Sequence, residues 1–318
     1  MDVLIMGFSS IVERRVLPAL AKLEGVDRIH IATSRSGLEV DIPAVKRGEI
    51  VTGYEEALDK IGPCLAYVSL PNHLHGFWVK EALRRDFHVV VDKPAFLAEE
   101  DLIEALSISE ERDLCLAEAV VWPYHEQVTR LMERMSSQCA EISAMQAVFS
   151  FPPLANANFR NDPARGGGAL NDLAAYAITP GRVFYGEQPE EVACRILSRN
   201  AAIDTGFSFE AFFSRGRVFQ GFYSFTTEYR NSMLLLGDGF SAELNPAFTI
   251  GPSAGTTVVV RSKNQIEQLA VQGSDMFEVF LESVVSSLSS GNYGEWRNLL
   301  RRDAEIYFRT MRIAGAMK

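Results

Sequence analysis

Apolar positions along this chain follow two successive rhythms. Up to residue 118, short and nearly continuous apolar runs at 3–6, 29–32, 49–51, 66–70, 89–91 and 114–117 alternate with helical patterns. One helical pattern runs through Leu17, Leu20 and Leu23, and others cover 54–60, 72–85 and 98–111. Strands that are apolar on both faces and separated by helices are what a parallel sheet covered on both sides requires. The pattern predicts a doubly wound, Rossmann-type α/β domain with right-handed crossovers over 1–118.

After Glu118 the period shortens to two, at 143–151, 191–198, 207–213, 218–226, 232–236 and 256–261. Helical patterns at 124–135 and 172–185 interrupt these strands, and two more at 274–289 and 293–314 close the chain. The spacing predicts an α+β domain over 119–318, built on one open, mostly antiparallel sheet. Phe219, Phe222 and Phe225 suggest an apolar sheet face too large to leave bare on a monomer. A homodimer, or a multiple of it, paired sheet against sheet is therefore expected.

Composition narrows the functional classes. The 318 residues, 47% apolar and 23% charged, fit about two folded domains rather than a disordered or low-complexity chain. A net charge of −10 gives no general attraction for phosphate backbones, so nucleic acid is not an expected partner. No apolar run is long enough for a membrane span, and the first residues do not read as a signal peptide. Cys64, Cys115, Cys139 and Cys194 lie far apart with no C-x-x-C pair, as expected of a cytoplasmic protein.

The loop after the first run reads Gly7-Phe8-Ser9-Ser10-Ile11-Val12. Of the G-x-G-x-x-G dinucleotide fingerprint only the first glycine is present, yet Ser9 can offer an amide and a hydroxyl to a phosphate at the helix start. A plain strand–turn–helix with a serine cap is the alternative. The second run ends in Ser34-Arg35-Ser36, where an NAD-specific site would carry an acid. Arg35 suits a ribose 2′-phosphate, which favours NADP(H) and leaves NAD(H) open; a solvated loop arginine is the alternative. The His73-x-His75 pair has no further ligands at metal spacing, so no metal is expected.

Three strings occur in order: Ser69-Leu70-Pro71-Asn72-His73-Leu74-His75, then Asp92-Lys93-Pro94, then Gly166-Gly167-Gly168-Ala169-Leu170-Asn171-Asp172-Leu173-Ala174-Ala175-Tyr176. Together they resemble the T-P-N-x-x-H, E-K-P and G-G-G-x-L-x-D-x-G-x-H/Y strings of the glucose–fructose oxidoreductase / inositol dehydrogenase / rhizopine-catabolism (Gfo/Idh/MocA) family, over essentially the whole chain. Asp92 stands where that family usually has glutamate, and Ala174 where it usually has glycine.

The resemblance implies an NADP(H)-dependent oxidoreductase acting on the C–OH/C=O of a sugar, cyclitol or sugar-derived substrate, with or without a linked nucleotide. A non-catalytic, dinucleotide-binding regulatory protein of the same fold is the alternative. The resemblance makes Lys93, Tyr176 and Asp172 the catalytic candidates. Lys93 would bond the reacting oxygen, Tyr176 would supply the proton, and Asp172, four residues earlier on the same helix face, would position a substrate hydroxyl or Lys93. Gly7, Phe8, Ser9, Ser10, Ile11, Ser34, Arg35, Ser36, Leu70, Pro71, Asn72, His75, Asp92, Lys93 and Glu118 are the expected cofactor residues. His125 and Arg160, with Lys93, Asp172 and Tyr176, are the expected substrate residues.

Overall fold

The computed structural model describes residues 1–155, 158–263 and 265–316. These form two compact units, Met1–Val120 with Phe277–Arg301, and Val121–Met276 with Arg302–Lys318.

In the first unit, strands β1 (Val3–Met6), β2 (Ile29–Thr33), β3 (Arg47–Thr52), β4 (Leu65–Val68), β5 (His88–Val91) and β6 (Leu116–Glu118) form a parallel sheet in the order β3-β2-β1-β4-β5-β6. Every residue of β1 and β4 is fully buried, the burial that near-continuous apolar runs foretell. Helices α1 (Leu17–Lys22), α2 (Tyr54–Ile61), α3 (His75–Arg84) and α4 (Glu99–Glu111) lie between strands in sequence. A π-helical turn, Val12–Val16, precedes α1. Strand order reverses between β1 and β4, so the crevice outside their carboxyl ends is the place where such a sheet takes a ligand.

Strands of the second unit are β7 (Ile142–Ser150), β8 (Glu191–Arg199), β9 (Asp204–Phe213), β10 (Arg217–Ser224), β11 (Arg230–Gly237), β12 (Phe240–Leu244), β13 (Thr256–Ser262) and β14 (Gln265–Val271). They run in the order β14-β13-β12-β11-β7-β10-β9-β8, with β7 and β10 the parallel neighbours and the rest antiparallel. Helix α5 (Glu126–Ser137) packs near β13 and β14, and α6 (Ala169–Tyr185) lies across β9, β10 and β7.

Three expectations change. Strands β12 and β14 escape the sequence pattern. In β14 most positions are half-buried or exposed, so alternation is faint at that sheet edge. Phe219 and Phe225 do not share a face with Phe222: an odd spacing of three flips the side chain, and the first two are buried while Phe222 is half-buried. Finally, the chain does not stay in the second unit after residue 276. Helix α7 (Met276–Ser290) and the start of α8 (Gly294–Ile313) pack in the first unit. There Lys22 pairs with Glu278 at 2.7 Å, and Arg297 donates to the carbonyls of Ser109 and Leu114 at 3.0 and 2.7 Å.

Candidate functional site

In the first unit the site begins at Gly7. Its φ of +96° and the carbonyl of Ser69, which would lie 2.3 Å from an added Cβ, admit glycine alone. This close approach brings the loop after β1 against the end of β4. Ser9 accepts from the Val12 amide at 3.2 Å and lies 2.8 Å from the Ser69 hydroxyl. Ser69 in turn donates to Asp92 Oδ2 at 2.5 Å, which uses its one proton, so Ser9 donates to Ser69. Tyr67 donates to Asp92 Oδ1 at 2.7 Å. Burial, with the Asp92 charge beside it, pushes the Tyr67 phenol well above its ordinary range, so it stays a donor.

This chain of bonds corrects one expectation: the Ser9 hydroxyl is an internal strut, and what Ser9 retains for a phosphate is its backbone amide. Tyr67 is the residue that sequence reasoning missed. The signal existed, because Tyr67 and Ser69 are two apart near one strand end and so point to one face.

Lys93 is half-buried in the turn after β5, and its peptide bond to Pro94 is cis. Both flanks of this turn are tied down. Asp92 is held by Tyr67 and Ser69, and the Ala95 amide donates to Glu118 Oε1 at 2.8 Å. The ring nitrogens of His75 lie 2.8 Å from the carbonyls of Pro94 and Leu70. Burial holds that imidazole below its ordinary pKa. His75 is fully buried and therefore braces the turn rather than touching a ligand. Glu118 likewise acts here as a brace. Leu70 and Asn72 are buried, and Pro71 is half-buried.

At the end of β2, Ser34, Arg35 and Ser36 are exposed, and Arg35 Nη2 donates to the Phe8 carbonyl at 2.6 Å. The guanidinium thus lies against the loop after β1, where Phe8 is half-buried and Ser10 is exposed; Ile11, just beyond it, is half-buried. Open backbone at a helix start and an arginine in place of an acid fit a phosphorylated dinucleotide.

The second unit contributes a separate cluster on α6. Gly166 and Gly168 have φ of +76° and +118°, and a Cβ on Gly167 would lie 2.4 Å from the Arg160 carbonyl. The triple glycine therefore lets the loop after Arg160 fold back on itself. Asp172, buried, pairs with Arg160 Nε at 3.0 Å, and the guanidinium stacks 4.8 Å from the Phe159 ring centroid. One turn on, the half-buried Tyr176 ring meets Phe149 and Phe248 at centroid distances of 4.8 and 5.2 Å. Pro180 cannot donate to the Tyr176 carbonyl as a helical residue should, and the Tyr223 hydroxyl donates there at 3.0 Å. His125 departs from expectation: it is fully buried and accepts from the Gln127 amide at 3.2 Å, so it caps α5 instead of lining a pocket. Among the described residues no group of three or more potential metal ligands occurs, and no helix is long and apolar enough to cross a membrane.

Comparison with known proteins agrees with this architecture. Residues 1–120 match the oxidoreductase family with NAD-binding Rossmann fold of the Gfo/Idh/MocA type, and 132–243 match a Gfo/Idh/MocA C-terminal domain. The chain is 25% identical to D-xylose 1-dehydrogenase (NADP(+)) 2 of Haloferax volcanii over 90% of this chain and 89% of that protein. It is 26% identical to the dTDP-3,4-didehydro-2,6-dideoxy-alpha-D-glucose 3-reductase of Actinomadura kijaniata, over 95% and 92%. A solved 3-ketoreductase from Actinomadura kijaniata, in complex with NADP and TDP-benzene, superposes with a TM-score of 0.88 at 25% identity, covering 99% of this chain and 98% of that one. An aldose-aldose oxidoreductase from Caulobacter crescentus gives 0.82 at 18% identity over 98% and 97%, a likeness of fold.

Proposed function

Because the chain belongs to the Gfo/Idh/MocA family of NAD(P)-dependent oxidoreductases, we propose that it moves hydride between NADP(H) and a C–OH/C=O carbon of a sugar or sugar-derived substrate. The bound nicotinamide would give or take the hydride. The chain's own work is to hold the substrate oxygen and to move its proton. The observation that carries the reading is the bracing of Lys93 at the carboxyl edge of the sheet: Asp92 is fastened to Tyr67 and Ser69 at the end of β4, Pro94 to His75 at the start of α3, and Ala95 to Glu118 at the end of β6. A fixed ammonium there donates to the reacting oxygen and stabilises negative charge as it develops. Tyr176 is the proposed proton donor in reduction. Asp172, its charge balanced by Arg160, orients a substrate hydroxyl.

Sugar substrates are supported by the relatives, which include a xylose dehydrogenase and reductases of dTDP-linked keto sugars. NADP(H) is supported by Arg35 beside the glycine loop and by the NADP-dependent xylose enzyme. The test is NADPH oxidation, or NADP reduction, over a panel of aldoses, keto sugars and nucleotide-linked keto sugars. Turnover on at least one is expected. NADPH binding without turnover on any would favour the regulatory alternative.

For assembly, the open face of the β7–β14 sheet carries Phe212 and Leu236, 39% and 38% exposed, with Phe222 half-buried on β10. This face supports a homodimer, tested by light scattering at micromolar concentration; a monomer there would overturn it. Four free cysteines are consistent with the cytoplasm.

A further inference from the structure

Helix α6 presents Asp172 and Tyr176, yet its own sequence leaves its start uncapped. The N-cap position is Gly168, which has no side chain to offer the first amides. That function comes from Asp204, the first residue of β9, 34 positions beyond Leu170. Asp204 Oδ2 accepts from the Leu170 amide at 2.6 Å, and the Ala169 amide also faces the carboxylate. The approach is tight enough that a Cβ on Gly168 would lie 2.5 Å from Asp204 Oδ1. The third glycine of the run is thus explained by this carboxylate as much as by its φ of +118°. The Asp172 amide bonds back to the Gly168 carbonyl at 3.1 Å, so the same peptide that meets Asp204 begins the turn holding Asp172.

We infer that Asp204 is a positioning residue for the proposed reaction: by capping α6 from β9 it sets the height and rotation at which Asp172 and Tyr176 are presented. The inference rests on the reading that those two residues act in catalysis. Catalytic groups must be held within a fraction of an ångström, and a misplacement of about 1 Å can cost about 100-fold in rate.

The electrostatics give this role a signature. Burial pushes the Asp204 carboxyl above its ordinary 3.8, against the pull of three backbone amides (Leu170, its own and Ala169) and of Arg199; Cys194 also faces it. A carboxyl whose folded pKa is raised binds its proton more tightly in the fold than in the unfolded chain. The fold therefore loses stability as pH rises from the ordinary value to the raised one, and at neutral pH carries the full cost of the buried charge. Asp204→Asn keeps an acceptor oxygen of the same reach without that charge.

The experiment compares Asp204→Ala, Asp204→Asn, Gly168→Ala and Tyr176→Phe. It measures kcat and KM on the best substrate, NADPH affinity, Tm, and hydrogen exchange of the amides over 169–173. Asp204→Ala should lower kcat about tenfold or more, keep the NADPH Kd within about twofold, and raise exchange in that turn. Asp204→Asn should restore most of the kcat, with a Tm at neutral pH equal to or above wild type. Gly168→Ala, which forces a methyl against the same carboxylate, should repeat the kcat loss even if Asp204→Ala does not fold. Impaired Tyr176→Phe alongside a normal Asp204→Ala, or Asp204→Asn no better than Asp204→Ala, would overturn the inference. Normal kcat in Tyr176→Phe would instead remove the reading on which it rests, and unchanged exchange in Asp204→Ala would then show that the cap does not hold α6.

Discussion

Arg35→Ala separates the two cofactors through a contact only one of them can make. The wild-type guanidinium donates to the Phe8 carbonyl at 2.6 Å and is exposed. A hydrogen bond to a charged group is worth about 1.5–3 kcal/mol, and exposure places this one at the low end, about 1.5 kcal/mol. That is about tenfold in affinity, and it applies to the 2′-phosphate of NADPH alone. The Phe8 tether serves both cofactors, and its loss costs each about 0.5–1 kcal/mol, or about two- to fivefold. NADPH should therefore weaken about 20–50-fold and NADH about two- to fivefold. Fluorescence titration of wild type and variant with both nucleotides measures this, and the NADPH preference should shrink as salt rises from about 0.05 to 0.5 M. Equal wild-type affinities for NADH and NADPH, or an equal loss for both in the variant, would refute the assignment of Arg35.

Tyr176→Phe keeps the ring against Phe149 and Phe248 and removes the donor, so kcat should fall about 10²–10⁴-fold with little change in Tm. Tyr223→Phe withdraws the hydroxyl that serves the carbonyl stranded by Pro180; chemical denaturation should show a loss of about 1–3 kcal/mol. Burial pushes the thiols of Cys64, Cys115 and Cys194 up to about 12, whereas Cys139 is exposed. At pH 8 a maleimide should label Cys139 in the native protein and all four cysteines only in denaturant, as mass spectrometry would count.

What the sequence alone determined is local or periodic. Apolar runs buried on both sides announce a parallel sheet, alternating runs an antiparallel one, and contiguous strings such as Asp92-Lys93-Pro94 and Gly166-Gly167-Gly168 mark the turns that carry the proposed site residues. Those signals lie within a few residues of one another, so no long-range geometry is needed to see them. Tertiary structure alone decided which side chains face outward. His75 and His125 look like ligand-binding histidines in the string and prove to be buried, one bracing the Lys93 turn and the other capping α5. The Ser9 hydroxyl is consumed by Ser69, which itself is consumed by Asp92, a relay joining the ends of β1, β4 and β5. Asp204 reaches α6 across 34 residues, and Phe277–Arg301 returns to the first unit after the whole second sheet. An amphipathic helix reports that one face will be buried, not which apolar surface will bury it, and a lone aspartate carries no record of the amide it will meet. Such pairings follow from the packing of distant segments, where burial and hydrogen-bond satisfaction are settled together.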